Sequence, residues 1–144
     1  MRYFLAKTEA SVYSISDLAR DARTTWDGVR NAQALAAIRS MQPNDRVFIY
    51  HSTGESAIVG LAKVASDPRP DPQDPKLTIV DLAFVAKLDP PTTLAEVKGS
   101  GLFADFALVR QSRLSTMAVP EAFVDWVRAR YPEVKDLIRE AAKR

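Results

Sequence analysis

The sequence predicts an α+β fold, a mixed and mostly antiparallel β-barrel of about five to six strands with short peripheral helices. Three observations lead there. The chain has 144 residues, of which 47% are hydrophobic and 26% charged. That is ordinary for a globular domain, and the length suits one core rather than two. Its β-rich runs are short and do not alternate regularly with long helices, which excludes a doubly wound parallel sheet. The helical patterns between them are mostly brief.

The elements follow in order. Tyr3 to Lys7 is apolar and aromatic and reads as the opening strand. Ser14 or Ser16 can cap a short helix through Arg20. Thr24 to Arg30 reads as a loop, and Asn31 caps a helix running to about Met41. Ala34, Leu35, Ile38 and Met41 recur there at helical spacing and form its buried face. Gln42 to Asp45 is a turn. Arg46 to His51 and Ala57 to Val64 are strands joined by a loop at Thr53 to Ser56. Ser66 to Lys76 holds four of the nine prolines and reads as an extended polar loop, because proline cannot donate to a ladder. Leu77 to Leu88 is a long strand. Thr93 caps a short helix that ends at Gly99-Ser100-Gly101. Ala107 to Arg110 and Leu114 to Met117 are short strand candidates. Helical patterns cover Pro120 to Arg130 and Glu133 to Lys143, and the charges of the latter stretch form a solvated face with no assigned role.

Composition narrows the chemistry. The absence of cysteine excludes disulfides, iron–sulfur clusters, thiolate zinc sites and cysteine nucleophiles. A single histidine, His51, excludes a multi-histidine metal site. No apolar run approaches the roughly 20 residues of a membrane helix, and the N-terminal apolar stretch is too short for a signal peptide. The expectation is a cytoplasmic protein with no membrane partner; the sequence does not fix the oligomeric state, and a monomer is the favoured reading. The net charge of +2 neither demands nor forbids nucleic acid, so any such binding must come from a local site. Thirteen of the 20 basic residues are arginine, which suits phosphate forks but equally reflects a GC-rich genome.

Four polar clusters sit where apolar runs end: Lys7-Thr8-Glu9, Trp26 to Asn31, Tyr50-His51-Ser52 and Arg110-Gln111-Ser112-Arg113. Strand ends are where sites are commonly built, and a barrel brings several such ends to one rim. The Trp26 indole offers a flat surface for stacking a nucleobase, and Gly28 lets backbone approach a ligand; the alternative is a tryptophan that plugs the core beneath a loop. His51 can donate and accept toward a base edge, or be satisfied by backbone at a strand end. No nucleophile–base spacing accompanies it. Along its strand, Val47, Ile49 and His51 share one face, and Phe48, Tyr50 and Ser52 the other. Arg110 to Arg113 can bond a phosphate and a base edge together, or form a solvated turn. Lys7 with Glu9 makes a structural ion pair or an acid–base group.

These clusters, in this order, resemble the EVE domain of the PUA-like superfamily. The resemblance runs from about Tyr3 to about Trp126. It is carried by Trp26-Asp27-Gly28-Val29-Arg30-Asn31 with Gln33-Ala34, Tyr50-His51-Ser52, Gly60-Leu61-Ala62-Lys63-Val64, and Leu108 to Ser115. It implies one PUA-like domain over 1–144, with a cleft that accepts a flipped-out base. Members are regarded as readers of modified bases, chiefly modified cytosines in DNA, and relatives in the superfamily bind RNA. By motif match the cleft is lined by Lys7, Thr8, Glu9, Trp26, Gly28, Val29, Arg30, Asn31, Tyr50, His51, Ser52, Arg110, Gln111 and Ser112. Arg110 and Arg113 are expected on the nucleic-acid backbone. No cofactor, metal or catalytic residue is implied.

The family pattern usually reads Lys-Ser-Glu-Pro where Lys7-Thr8-Glu9-Ala10 stands, and an aromatic where Ala32 stands. It has Arg-Asn at Leu35-Ala36 and asparagine at Thr53. The preferred reading is a non-enzymatic module that captures a modified DNA or RNA base. The alternative is a small hydrolase acting on a modified nucleoside, since related PUA-like amidohydrolases use lysine, threonine and glutamate. Three adjacent strand residues cannot all point to one side, which ranks it second.

Overall fold

In the computed structural model, which describes residues 1–139, the N-terminal strand β1 (Tyr3–Thr8) lies inside the sheet. Both its faces are covered, and Tyr3, Phe4, Leu5 and Ala6 are all buried. It pairs in parallel with β3 (Arg46–His51) and antiparallel with β7 (Thr116–Ala118). β4 (Ala57–Val64) continues from β3, and β6 (Asp74–Thr93) pairs with β4. β2 (Arg23–Trp26) and β5 (Arg69–Asp71) both lie against β6. The main path runs β2-β6-β4-β3-β1-β7, and every pairing except β1 with β3 is antiparallel. The mixed α+β fold is as expected, with seven strands among the described residues rather than five to six.

The sheet curls without closing, because its end strands β2 and β7 do not pair with each other. Helix α2 (Ala32–Arg39) packs against both β6 and β7 and so covers this seam. Its buried Ala34, Leu35 and Ile38 are the face that helical spacing predicts, and the Asn31 side chain caps it by accepting from the Ala34 N–H at 3.0 Å. One side-chain bond crosses the seam directly: the Trp26 indole N–H donates to the Thr116 hydroxyl at 3.1 Å. Thr116 is fully buried, so this bond satisfies a group that water cannot reach.

Helix α1 (Ile15–Asp21) lies over β4 and β6 at a point where the sheet has no side chain. A Cβ on Gly60 would fall 2.2 Å from Ile15 Cδ1, so glycine is what lets the helix approach. Ser14 and Asp17 form a reciprocal cap at its N-terminus. Thr93 and Glu96 repeat that motif on α3 (Leu94–Gly99).

The remaining differences from expectation have local causes. The loop expected from Thr24 begins as strand β2, since Thr24, Thr25 and Trp26 suit a pleated surface. Within the proline-rich stretch, Pro70 sits in β5, an edge strand where its missing N–H is harmless. Ala107 to Arg110 forms the helix α4 rather than a strand; a run of four apolar-rich residues carries no period that separates the two. Gln111 N–H closes it on Ala107 O at 2.8 Å. Phe106, at its start, packs on Phe123 of α5 (Glu121–Arg130), and Phe103 packs on both Phe123 and Trp126 of the same helix. The helix expected over Glu133 to Lys143 is a 3-10 turn, Pro132–Val134, followed by α6 (Lys135–Ile138), and its last residues lie outside the described ones. No helix among the described residues is long and apolar enough to cross a membrane.

Candidate nucleic-acid interface

At one end of the seam the strand ends and the N-terminus of α2 surround an open cleft of about 530 Å³. β1 contributes Lys7 and Thr8, and the turn after it Glu9 and Val12. The segment from Trp26 to Asn31 supplies the opposite wall, and Ser115 the floor beside β7. The space behind Trp26, between Thr8, Tyr13, Thr24 and Ile49, measures about 10 Å³. That is room for about one water, so a planar ligand must lie on the outward face of the indole. Larger than the hollows at Arg39–Arg69 and at Asp125–Lys135, this cleft also holds a tryptophan, which they lack.

The Trp26 to Asn31 wall owes its shape to two backbone features. Gly28 is left-handed at φ +72°, a conformation that side chains rarely adopt, and it turns the chain out of β2. Asn31 then starts α2 with an extended backbone. Val29 is buried between them and anchors the loop, while Arg30 remains largely in solvent with Asp74 at 4.0 Å.

Lys7 is the joint between this cleft and a second one. Its ammonium donates to Ser112 O at 3.0 Å and lies 5.5 Å from the Tyr50 ring centroid. Partial burial pushes its pKa below the ordinary lysine value. Ser112 belongs to a neighbouring hollow of about 290 Å³ formed by Asn31 and residues 110–114. The two spaces share Asn31. Their charges differ in kind. The large cleft mixes Lys7 and Arg30 with Glu9 and Asp27, whereas the hollow has Arg110 and Arg113 and no carboxylate in its wall. Arg110 reaches Asp105 at 3.4 Å from outside that wall.

The sequence-predicted residues divide accordingly. Lys7, Thr8, Glu9, Trp26, Gly28, Val29, Arg30 and Asn31 line the cleft; Arg110, Gln111, Ser112 and Arg113 line the hollow. Tyr50, His51 and Ser52 line neither. Tyr50 is buried beneath Lys7, and burial raises its phenol pKa. Ser52 is held to Thr8 O through its N–H at 3.0 Å. His51 accepts, at Nε2, the Ile15 N–H at 3.0 Å, which makes it a cap of α1. Burial holds its pKa below the ordinary histidine value. Lys7 and Thr8 also part company: the Thr8 hydroxyl donates to Tyr13 O at 2.7 Å and the Lys7 ammonium to Ser112 O. No nucleophile–base hydrogen bond links Lys7, Thr8 and Glu9.

Three cleft residues are missing from the lining expected from the sequence: Val12, Asp27 and Ser115. Asp27 and Ser115 lie inside the family motifs and are legible there as polar rim residues. A lone valine in a polar stretch carries no such signal.

A model of the EVE domain family matches residues 2–130. Thymocyte nuclear protein 1 from Mus musculus is 32% identical over 142 aligned residues, covering 80% of this chain and 63% of its own length. The human protein gives the same figures. The chain thus spans less than two thirds of these curated relatives. They are nuclear by name, against a cytoplasmic expectation for this chain. The NMR structure of Rpa0253 from Rhodopseudomonas palustris superposes with a TM-score of 0.87 at 35% identity, over 93% of this chain and 95% of that one. The crystal structure of human THYN1 in complex with DNA containing 5-methylcytosine superposes with a TM-score of 0.79 at 26% identity, over 99% of this chain and all of that one.

Proposed function

The chain belongs to the EVE domain family, and we propose that it is a non-enzymatic reader that captures one flipped-out modified base of DNA, a modified cytosine, in the 530 Å³ cleft. One observation carries this reading: a cleft of mixed charge with a tryptophan in its wall shares Asn31 with a purely basic hollow. A base needs a stacking face and a mixed set of donors and acceptors. The phosphate beside it needs cations alone.

Trp26 supplies the stack, worth about 1–3 kcal/mol per base. Glu9 and Asp27 are acceptors for an exocyclic amine, which cytosine has and thymine lacks. Lys7, Arg30 and the Asn31 amide face the carbonyl and ring-nitrogen edge. Arg110 and Arg113 take the adjoining phosphates as forked donors. Extraction of the base costs a few kcal/mol, which stacking and edge bonds must offset. The DNA complex of the human relative supports the choice of polymer and base. The separate hydrogen-bond commitments of Lys7 and Thr8 favour binding over hydrolysis.

The test is fluorescence anisotropy on matched DNA duplexes carrying one central cytosine, 5-methylcytosine or 5-hydroxymethylcytosine, with RNA of the same sequence alongside. Mass spectrometry of the recovered oligonucleotide accompanies it. A preference of about tenfold for a modified DNA duplex, with the ligand mass unchanged, is expected. Equal affinity for modified and unmodified cytosine, tighter binding of the RNA, or a change in ligand mass overturns the reading.

A further inference from the structure

We propose that Val12 is the wedge that enters the base stack of duplex DNA when a base leaves it for the cleft; this rests on the reading above. Among the described residues Val12 is the most exposed large hydrophobic side chain, at 73%. A single apolar side chain on a surface needs no explanation by itself. Val12 differs in its place and in its mounting.

Its place is the lip of the cleft, on the wall that also carries Glu9. The neighbouring Ala10 and Ser11 are small, so valine is the largest projection between Glu9 and Tyr13. From Thr8 to Ala19 the chain has no lysine or arginine. This lip therefore cannot grip phosphates, and Glu9 repels them. The opposite side, with Arg110 and Arg113, is the one that can. A duplex seated by its backbone on the basic hollow presents its stack, not its phosphates, to this lip without cations.

Its mounting is rigid. Val12 N–H and Tyr13 N–H both donate to Glu9 O, at 2.9 and 2.8 Å. Thr8 Oγ1 donates to Tyr13 O at 2.7 Å, and Ala10 N–H donates to Thr53 Oγ1 at 3.2 Å. The turn is thus closed on itself and tied to both β1 and the loop after β3. A β-branched side chain has one stiff rotor, so little freedom is lost when it inserts. Apolar wedges between base steps are a general means of holding an opened duplex, because they replace lost stacking with apolar contact.

The inference separates duplex from single strand. A single strand has no paired stack to hold open, so Val12 contributes nothing there. Val12→Ser and Val12→Leu are compared with the unaltered chain on a 5-methylcytosine duplex and on its modified strand alone. A 2-aminopurine beside the modified base reports stacking. Val12→Ser is expected to lose about tenfold on the duplex and nothing on the single strand, with weaker 2-aminopurine emission in the complex. Val12→Leu is expected to restore both. Unchanged duplex affinity in Val12→Ser overturns the wedge and leaves the base reading intact. Equal losses on duplex and single strand make Val12 a wall of the cleft and also overturn it. If the unaltered chain shows no preference for the modified base in either form, the base reading fails and the wedge with it.

Discussion

β1 and β3 end side by side at one rim of the curled sheet, with Lys7 paired to Tyr50 and Thr8 to His51, yet only the β1 end meets the cleft. The β3 end is covered. Its tyrosine lies under Lys7, and its histidine caps the helix that follows the cleft's own lip. Both ends carry polar side chains after a buried apolar run, so nothing in composition separates them. What separates them is the chain that comes next. After β1 the chain turns back over the neighbouring strand end through Glu9 to Ser14, and α1 settles on Gly60. One end lines the cleft and the other packs beneath and beside it, and the two kinds of residue are expected to fail differently when altered.

The largest effect belongs to Trp26, because it serves both roles. Trp26→Ala removes the stacking face, for about 1–3 kcal/mol of base affinity. It also leaves the buried Thr116 hydroxyl without its indole partner, for about 1–3 kcal/mol of stability. Trp26→Phe separates the two: it keeps a stacking ring and loses the bond across the seam. Calorimetric melting and anisotropy on the modified duplex should show both losses in Ala and mainly the stability loss in Phe. A Phe variant as stable as the unaltered chain would show that the seam bond holds nothing.

Gly60→Ala strikes support alone. The added methyl overlaps Ile15 Cδ1, and overpacking of this kind costs about 1–3 kcal/mol. Ile15→Ala deletes both clashing atoms, Cδ1 and Cγ1. In a double-mutant cycle by urea unfolding, the pair should therefore be less destabilised than the sum of its singles. Simple additivity would mean that Gly60 is not what seats α1.

Arg110 and Arg113 test ligand binding alone. Both are exposed and neither holds the core. Changing both to glutamine should leave the melting temperature nearly unchanged. The slope of log affinity against log salt should flatten by about 1–2, because each phosphate that is no longer neutralised keeps its condensed counterion. An unaltered slope would place the phosphates elsewhere.

Cleft-lining residues are easier to read from the sequence than the residues packed behind them. The strands Arg46–His51 and Ala57–Val64, the capped helix after Asn31 and the loop of Trp26 to Asn31 all announce themselves through local chemistry. Local chemistry is the same at Lys7-Thr8-Glu9 and at Tyr50-His51-Ser52, and strand parity tells which residues share a face without telling what covers that face. His51 becomes a helix cap only because Ile15, 36 residues away, is brought to it. The α4 turn reads as a strand for the related reason that four residues show no period, and its shape depends on Phe106 meeting Phe123. Val12 is invisible in the sequence because its exposure is a property of the turn that carries it.

The smallest effect is the one that bears most directly on the two strand ends, and it is read with pH. His51 accepts the Ile15 N–H through Nε2, so that nitrogen must be unprotonated, and the ring's proton sits on Nδ1. Burial lowers the folded-state pKa beneath the ordinary value of 6.5, which the unfolded chain retains. The unfolded state therefore binds more protons as pH falls, and stability declines with it. The contribution of His51 is fully present above pH 6.5 and is lost as pH falls through the lower folded-state value. His51→Asn offers a carbonyl to the same N–H and does not titrate. Urea midpoints from about pH 8 to about pH 5 should fall in the unaltered chain and stay flatter in Asn, since carboxylates titrate mainly below that window. His51→Leu leaves the Ile15 N–H without its partner and should lose about 1 kcal/mol at about pH 8, a deficit that shrinks as pH falls and the unaltered histidine loses the same bond. Affinity for the modified base, measured at about pH 8 on folded protein, should match the unaltered chain in Asn. A loss of affinity in Asn with stability unchanged would move His51 from support to ligand binding, and the two strand ends would then be alike.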